Sequence, residues 1–147
     1  MIDVRPARLT NPWLMLALAA LTLQACSKGP GPTASGSRVY AADVTGAAKS
    51  CDVPSLSLTD GKTVTAAIKV TNDGGWCGIT VAQPGPKPYA SGLLTARPTH
   101  GKVFIHQVGD NTRIDYTPDR GFAGTDNFSV KLLPGEPVVH VTVTASK

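Results

Sequence analysis

No apolar stretch in this chain is long enough to cross a membrane. The longest, residues 13–23, runs for eleven uncharged positions, about half of the ~20 that a helix needs to span the hydrocarbon core. Aromatic residues are sparse at 5%, too few to provide a stacking platform for bases. The fourteen Lys and Arg are scattered, not massed. Together these features argue against a nucleic-acid-binding surface. No segment carries the period of a long amphipathic helix. There are only three cysteines and three histidines, with no Cys-x-x-Cys or His-x-His spacing, so a zinc or copper centre has no sequence support. No serine sits in a nucleophile elbow, and no Cys/His or paired-carboxylate arrangement marks a hydrolase. The expectation is a protein with no catalytic residues, no metal and no cofactor.

What is present begins with an address. Arg5 and Arg8 precede the apolar run that starts at Trp13, and basic-then-apolar is the order of a secretory signal. The formal net charge of +4 falls by one if Asp3, Arg5 and Arg8 are removed with such a segment. The remainder is about the size of a single domain, which needs only one core.

The residues closing the run, Leu23-Gln24-Ala25-Cys26, resemble the lipobox of bacterial lipoprotein signals. There a leucine and a small residue precede the cysteine that receives lipid and becomes the new N-terminus. Gln24 departs from the commonest pattern. The alternative is an ordinary cut after 39–41, some 18 residues beyond the run, farther than a signal peptidase normally reaches. The resemblance implies removal of residues 1–25, acylation of Cys26 (palmitate among its chains) and attachment to the membrane. Each buried methylene contributes about 0.8 kcal/mol, so several chains hold where one does not. Ser27 stands where an inner-membrane retention signal carries Asp, which favours the outer membrane of a two-membrane envelope, with the protein facing the periplasm or the cell surface.

Cysteine parity points the same way. Three cysteines in an exported chain leave one over. If lipid occupies Cys26, Cys51 and Cys77 are left to form a disulfide in an oxidising compartment, the alternatives being a metal pair or a redox centre. Residues 27–37, rich in Gly, Pro and Ser, read with Cys26 as a flexible tether over 26–37. Residues 38–147 then form the folded domain.

That domain reads as all-β. Over 63–70, Val64, Ala66, Ile68 and Val70 alternate with Thr and Lys. Phe128, Val130 and Leu132 do so over 127–133, and Val139, Val141 and Val143 over 138–144. Strict alternation marks half-buried strands. Residues 134–137 (Pro-Gly-Glu-Pro) join the last two strands as a hairpin, and Gly109-Asp110-Asn111 joins 102–108 to 112–117. With 77–82 and a strand near 89–95, roughly seven strands are expected, enough for an antiparallel sandwich of two sheets, and Val39, Tyr40 and Val44 offer a further, first edge strand.

Residues 97–105 (Arg-Pro-Thr-His-Gly-Lys-Val-Phe-Ile), followed by 112–130 with Tyr116-Thr-Pro118 and Gly121-Phe122-Ala-Gly124-Thr-Asp126-Asn-Phe128, resemble the bacterial immunoglobulin-like and cadherin-like repeats of surface proteins. The likeness covers about 97–143. It implies an immunoglobulin-like sandwich, and it assigns the motif residues to folding: Pro118 ends a strand, Gly121 and Gly124 allow the reversal, Asp126 accepts backbone N–H groups, and Phe122 and Phe128 plug the core. Function does not follow from such a fold.

Three residue sets remain as candidates. Asp115, Asp119 and Asp126 invite comparison with the calcium sites between cadherin repeats, but calcium needs six to eight converging oxygens, and turn capping suffices for these aspartates. His100, His106 and His140 read as surface histidines, although a periplasmic metal- or small-ligand-binding protein would use them. A small envelope hydrolase is a remote alternative. The leading expectation is a non-enzymatic module, structural or binding another envelope protein, with the loops 72–76 and 84–89 presenting Trp76 and Tyr89 to the partner.

Overall fold

The computed structural model describes residues 41–85 and 87–147. The signal segment, Cys26, the tether, Val39 and Tyr40 lie outside the described residues.

Among the described residues a helical turn, α1 (Ala41–Val44), is followed by eight strands: β1 (Cys51–Asp52), β2 (Thr63–Thr71), β3 (Cys77–Val81), β4 (Ser91–Ala96), β5 (Gly101–Val108), β6 (Asn111–Pro118), β7 (Gly124–Leu133) and β8 (Val138–Ser146). They form two sheets, one in the order β1-β2-β8-β7-β4 and the other β3-β6-β5. The domain is therefore all-β apart from that turn. Val44 is helical and 53% exposed, which corrects the expected first edge strand. Its apolar neighbours lack the alternation that would bury it.

The alternating segments fall where their period requires. Register sets Ala66 beside Val141 and Ile68 beside Val143 across β2 and β8. Across β8 and β7, Val141 lies beside Phe128 and Val139 beside Val130. All of these are buried, and with Ile79, Ile114, Tyr116 and Leu132 they make one continuous core. Each such aliphatic side chain contributes about 1.5–3 kcal/mol on burial. β2 and β8 run parallel while every other pair is antiparallel. Hairpins impose opposite directions only on chain neighbours, and β2 and β8 meet from opposite ends of the domain.

Both expected hairpins form. β5 and β6 turn through Gly109 and Asp110, with Val108 paired to Asn111, and Gly109 has a φ of 56°. Between β7 and β8, Gly135 and Glu136 both have positive φ, and the Leu133–Pro134 bond is cis. Gly135 also lies against the Asp60 carboxylate, where a Cβ would collide, while its carbonyl accepts from Gly61 N at 2.7 Å.

Cys51 and Cys77 are joined, with an S–S distance of 2.07 Å across a separation of 26 residues. The bridge links β1, at the edge of the larger sheet, to β3, at the edge of the smaller one. Closing a loop of this length contributes about 3.5 kcal/mol on the chain-entropy account.

Candidate functional site

Residues of the 97–128 segment converge at one corner of the sandwich. Tyr116 in β6 is fully buried, and its hydroxyl donates to Asp126 Oδ2 at 2.9 Å and approaches the His100 carbonyl at 3.1 Å. Asp126 in turn accepts from the backbone N–H groups of Thr99 (2.9 Å), His100 (2.8 Å) and Asn127 (2.9 Å). The carboxylate thus ties the start of β7 to the loop before β5. Burial works against its charge, but the bonds from Thr99, His100, Tyr116 and Asn127 outweigh that and hold its carboxyl below the usual carboxylate range. Burial, and then Asp126 itself, push the Tyr116 phenol well above its ordinary value. Gly101 is required here, because a Cβ would run into the Tyr116 ring.

Phe128 stacks on Tyr116 with centroids 5.8 Å apart, as a core plug should. Phe122 is only half-buried, and it stacks on His100 at 4.5 Å. It covers the corner from outside instead of filling the interior. Its N–H reaches the Asp119 carbonyl at 3.0 Å, with Gly121 at a φ of 79° inside the turn, the glycine-requiring position of a tight reversal. Gly124 has a φ of 144°. Pro118 is buried and closes β6 opposite Gly101.

A second cluster lies on the outer face of the smaller sheet. Arg113 grips Asp115 with two bonds, at 2.8 and 3.1 Å, and His106 Nε2 meets the same carboxylate at 2.9 Å. The guanidinium lies over the Trp76 ring, 3.9 Å from its centroid, and donates to the Asp43 carbonyl. Trp76 Nε1 donates to the Thr45 carbonyl at 3.0 Å. Arg113 and Asp115 should face solvent by alternation, yet every residue from Thr112 to Tyr116 is buried, because Trp76, His106 and the segment after α1 cover that face. Gly78 admits Asp115 where any side chain would clash.

The expectation of Tyr89 as an exposed contact is corrected. Tyr89 is 2% exposed. Its backbone is held by Thr112 Oγ1 at 2.8 Å and by Gln107 Nε2 at 3.3 Å, so the proline-rich loop folds its aromatic ring inward. Trp76 is half-buried against Arg113. The loop 72–76 is a latch: Asn72 Nδ2 donates to the Asp119 and Phe122 carbonyls, both at 2.8 Å. Asp73 accepts from the N–H groups of Lys49 and Gly75, which hold its carboxyl below the ordinary value. An open depression of about 450 Å³ lies between this loop and Arg120. The asparagine side chain's bridging role has no signal in the sequence beyond its position in a turn.

The three histidines sit apart: His100 on Phe122, His106 on Asp115, and His140 Nδ1 2.6 Å from Ser129 Oγ. Ser129 and His140 are cross-strand partners on β7 and β8, a pairing visible only once register is known. No carboxylate among the described residues contacts His140, and the surrounding backbone belongs to the sheet ladder. Asp115, Asp119 and Asp126 serve separate structural roles, and among the described residues no group of three His, Cys, Asp or Glu could hold a metal ion.

No family model matches the chain, and no curated protein matches it. Among solved structures it is similar to an endo-fucoidan hydrolase from glycoside hydrolase family 107, with 16% identity and a TM-score of 0.32. The likeness covers 54% of this chain and 12% of that one. The activity belongs to that protein and carries no argument here.

Proposed function

We propose that this chain is a lipid-anchored protein of the bacterial cell envelope, whose immunoglobulin-like sandwich is a non-enzymatic module for binding another envelope protein. The Cys51–Cys77 bridge carries the reading. It is the chemistry of an oxidising compartment, and it leaves Cys26 as the one cysteine without a partner, at the position the lipobox resemblance assigns to acylation. Strand order adds support. Taking β2 to β8 as strands A to G gives one sheet A-G-F-C and another B-E-D, an arrangement like that of immunoglobulin sandwiches, with A on the G side.

The non-enzymatic part of the reading is supported by where the polar groups are spent. Tyr116, Asp126, Arg113, Asp115 and Asn72 all hold loops, strands or α1 in place, and no buried side-chain nitrogen or oxygen among the described residues lacks a partner.

The test is the intact mass of the full-length protein made in a lipoprotein-processing bacterium, with and without reduction, together with its detergent partitioning. The expected product begins at Cys26, carries acyl mass, gains two daltons on reduction and enters the detergent phase. A Cys26→Ala variant is expected in the aqueous phase. A wild-type product that is soluble and free of acyl mass would sink the anchor.

A further inference from the structure

The two free sheet edges on one flank carry an unusual combination of features. β4 pairs only with β7, and β5 only with β6, so each presents one side of its backbone without a neighbour. The two edges face each other across a seam, where Gly92 of β4 lies against Ile105 of β5. At one end the seam is stopped by Tyr89, held by Gln107 and Thr112. At the other, where residues 97–100 connect β4 to β5, lies a groove of about 320 Å³ lined by Leu94, Val103, Arg97, Pro98, Gly101 and Lys102.

Of the three exposed large hydrophobic residues among those described, two are on these edges: Phe104 on β5, 63% exposed, and Leu93 on β4, 49% exposed. Neither Arg97 nor Lys102 is in an ion pair with a described residue. β4 is interrupted by a bulge between Leu94 and Ala96, a feature that blunts an edge. β5 runs unbroken in register for eight residues with neither bulge nor proline within its paired span.

We propose that β5 is the docking edge for an extended, acidic segment of a partner protein, which adds to the β3-β6-β5 sheet as a fourth strand. This deepens the binding-module reading and rests on it. The unpaired N–H and C=O groups of β5 take an extended backbone. Phe104 offers an apolar side chain for a cross-strand neighbour, while Leu94 and Val103 receive the alternate side chains within the groove. Arg97 and Lys102, in no ion pair with a described carboxylate, select acidic residues at this groove. A second copy of this chain fits less well, because it would bring another set of these cations to a protein that is already positive.

The test uses the full-length lipidated protein in mild detergent and a nine-residue peptide alternating glutamate and valine. Amide hydrogen exchange over residues 101–108 is expected to slow on binding, and N-methylation of alternate peptide amides is expected to abolish the effect. Phe104→Ser should weaken binding about tenfold, with Phe104→Tyr restoring it. Arg97→Ser with Lys102→Ser should remove most of its salt dependence. Unslowed exchange at 101–108, equal binding of a lysine–valine peptide or of the N-methylated one, or the same protection produced by an anionic polysaccharide or by self-association would each overturn the proposal. In cells, a photo-reactive side chain is placed at Phe104 and separately at Asp73. Crosslinks from Phe104 to one defined protein support the docking edge. Crosslinks from Asp73 alone overturn it while leaving the binding module standing, and crosslinks from neither overturn both.

Discussion

The two flanks of this sandwich are built on opposite principles. On the β1/β3 flank the edges are fastened: the Cys51–Cys77 bridge joins them, Ala47 pairs with Trp76, and the Asp43 and Thr45 carbonyls receive Arg113 and Trp76. On the β4/β5 flank the connection 97–100 joins the two strands at one end, no disulfide among the described residues ties the edges together, and Leu93 and Phe104 are exposed. A sheet edge is a liability unless it is covered or occupied. One flank is closed by a disulfide, while the other leaves two unpaired strand edges.

The largest expected effect tests the closed flank. Replacing Cys51 and Cys77 by Ser should lower stability by about 3.5 kcal/mol and the melting temperature by more than about 10 °C, as measured by urea and thermal unfolding. A loss below about 1 kcal/mol would show that the segment preceding β1 holds this flank without the bridge.

Asp126→Ala comes next, at about 3 kcal/mol, because it strands the Tyr116 hydroxyl and three backbone donors together. Asp126→Asn should recover part of this. The folded carboxyl titrates below the unfolded one, so its stabilisation is complete above roughly pH 4 and is lost as pH falls through the folded value. Urea midpoints measured between neutral and acidic pH should decline less steeply for Asp126→Asn than for the wild type.

Arg113→Ala is expected to cost about 2 kcal/mol, through loss of the paired Asp115 bonds and the Trp76 contact. It should also raise hydrogen exchange in α1 and the residues after it, whose carbonyls it and Trp76 hold. On the open flank, Phe104→Ser and Leu93→Ser should each change stability by no more than about 0.5 kcal/mol. A substantial loss there would mean that these side chains pack against something within the chain, and the contrast between the flanks would collapse.

Most of the fold is legible in the alternation of apolar residues. β2, β7 and β8 lie where Val64–Val70, Phe128–Leu132 and Val139–Val143 alternate, because a strand with one face in a core must repeat every two residues. The same signal fails for β6, where Arg113 and Asp115 are as hidden as Ile114. A face covered by another part of the chain carries polar residues that pair with one another, and pairing leaves no periodic trace. Tyr89 misleads for a related reason: local composition marks its loop as exposed, but the hydrogen bonds that turn it inward come from Gln107 and Thr112, distant in sequence.

The sequence by itself determined the strand-forming segments and the turns at 109–111 and 134–137, since these depend on local period and backbone freedom, while cysteine parity left one of three thiols over without saying which. Only the tertiary structure decided that β2 and β8 run side by side, that Cys51 and Cys77 are the joined pair, that Trp76 packs on Arg113, and that β4 and β5 end their sheets on one flank. Those outcomes depend on which distant strands become neighbours, and a strand's own residues state which face it buries without naming the strand beside it.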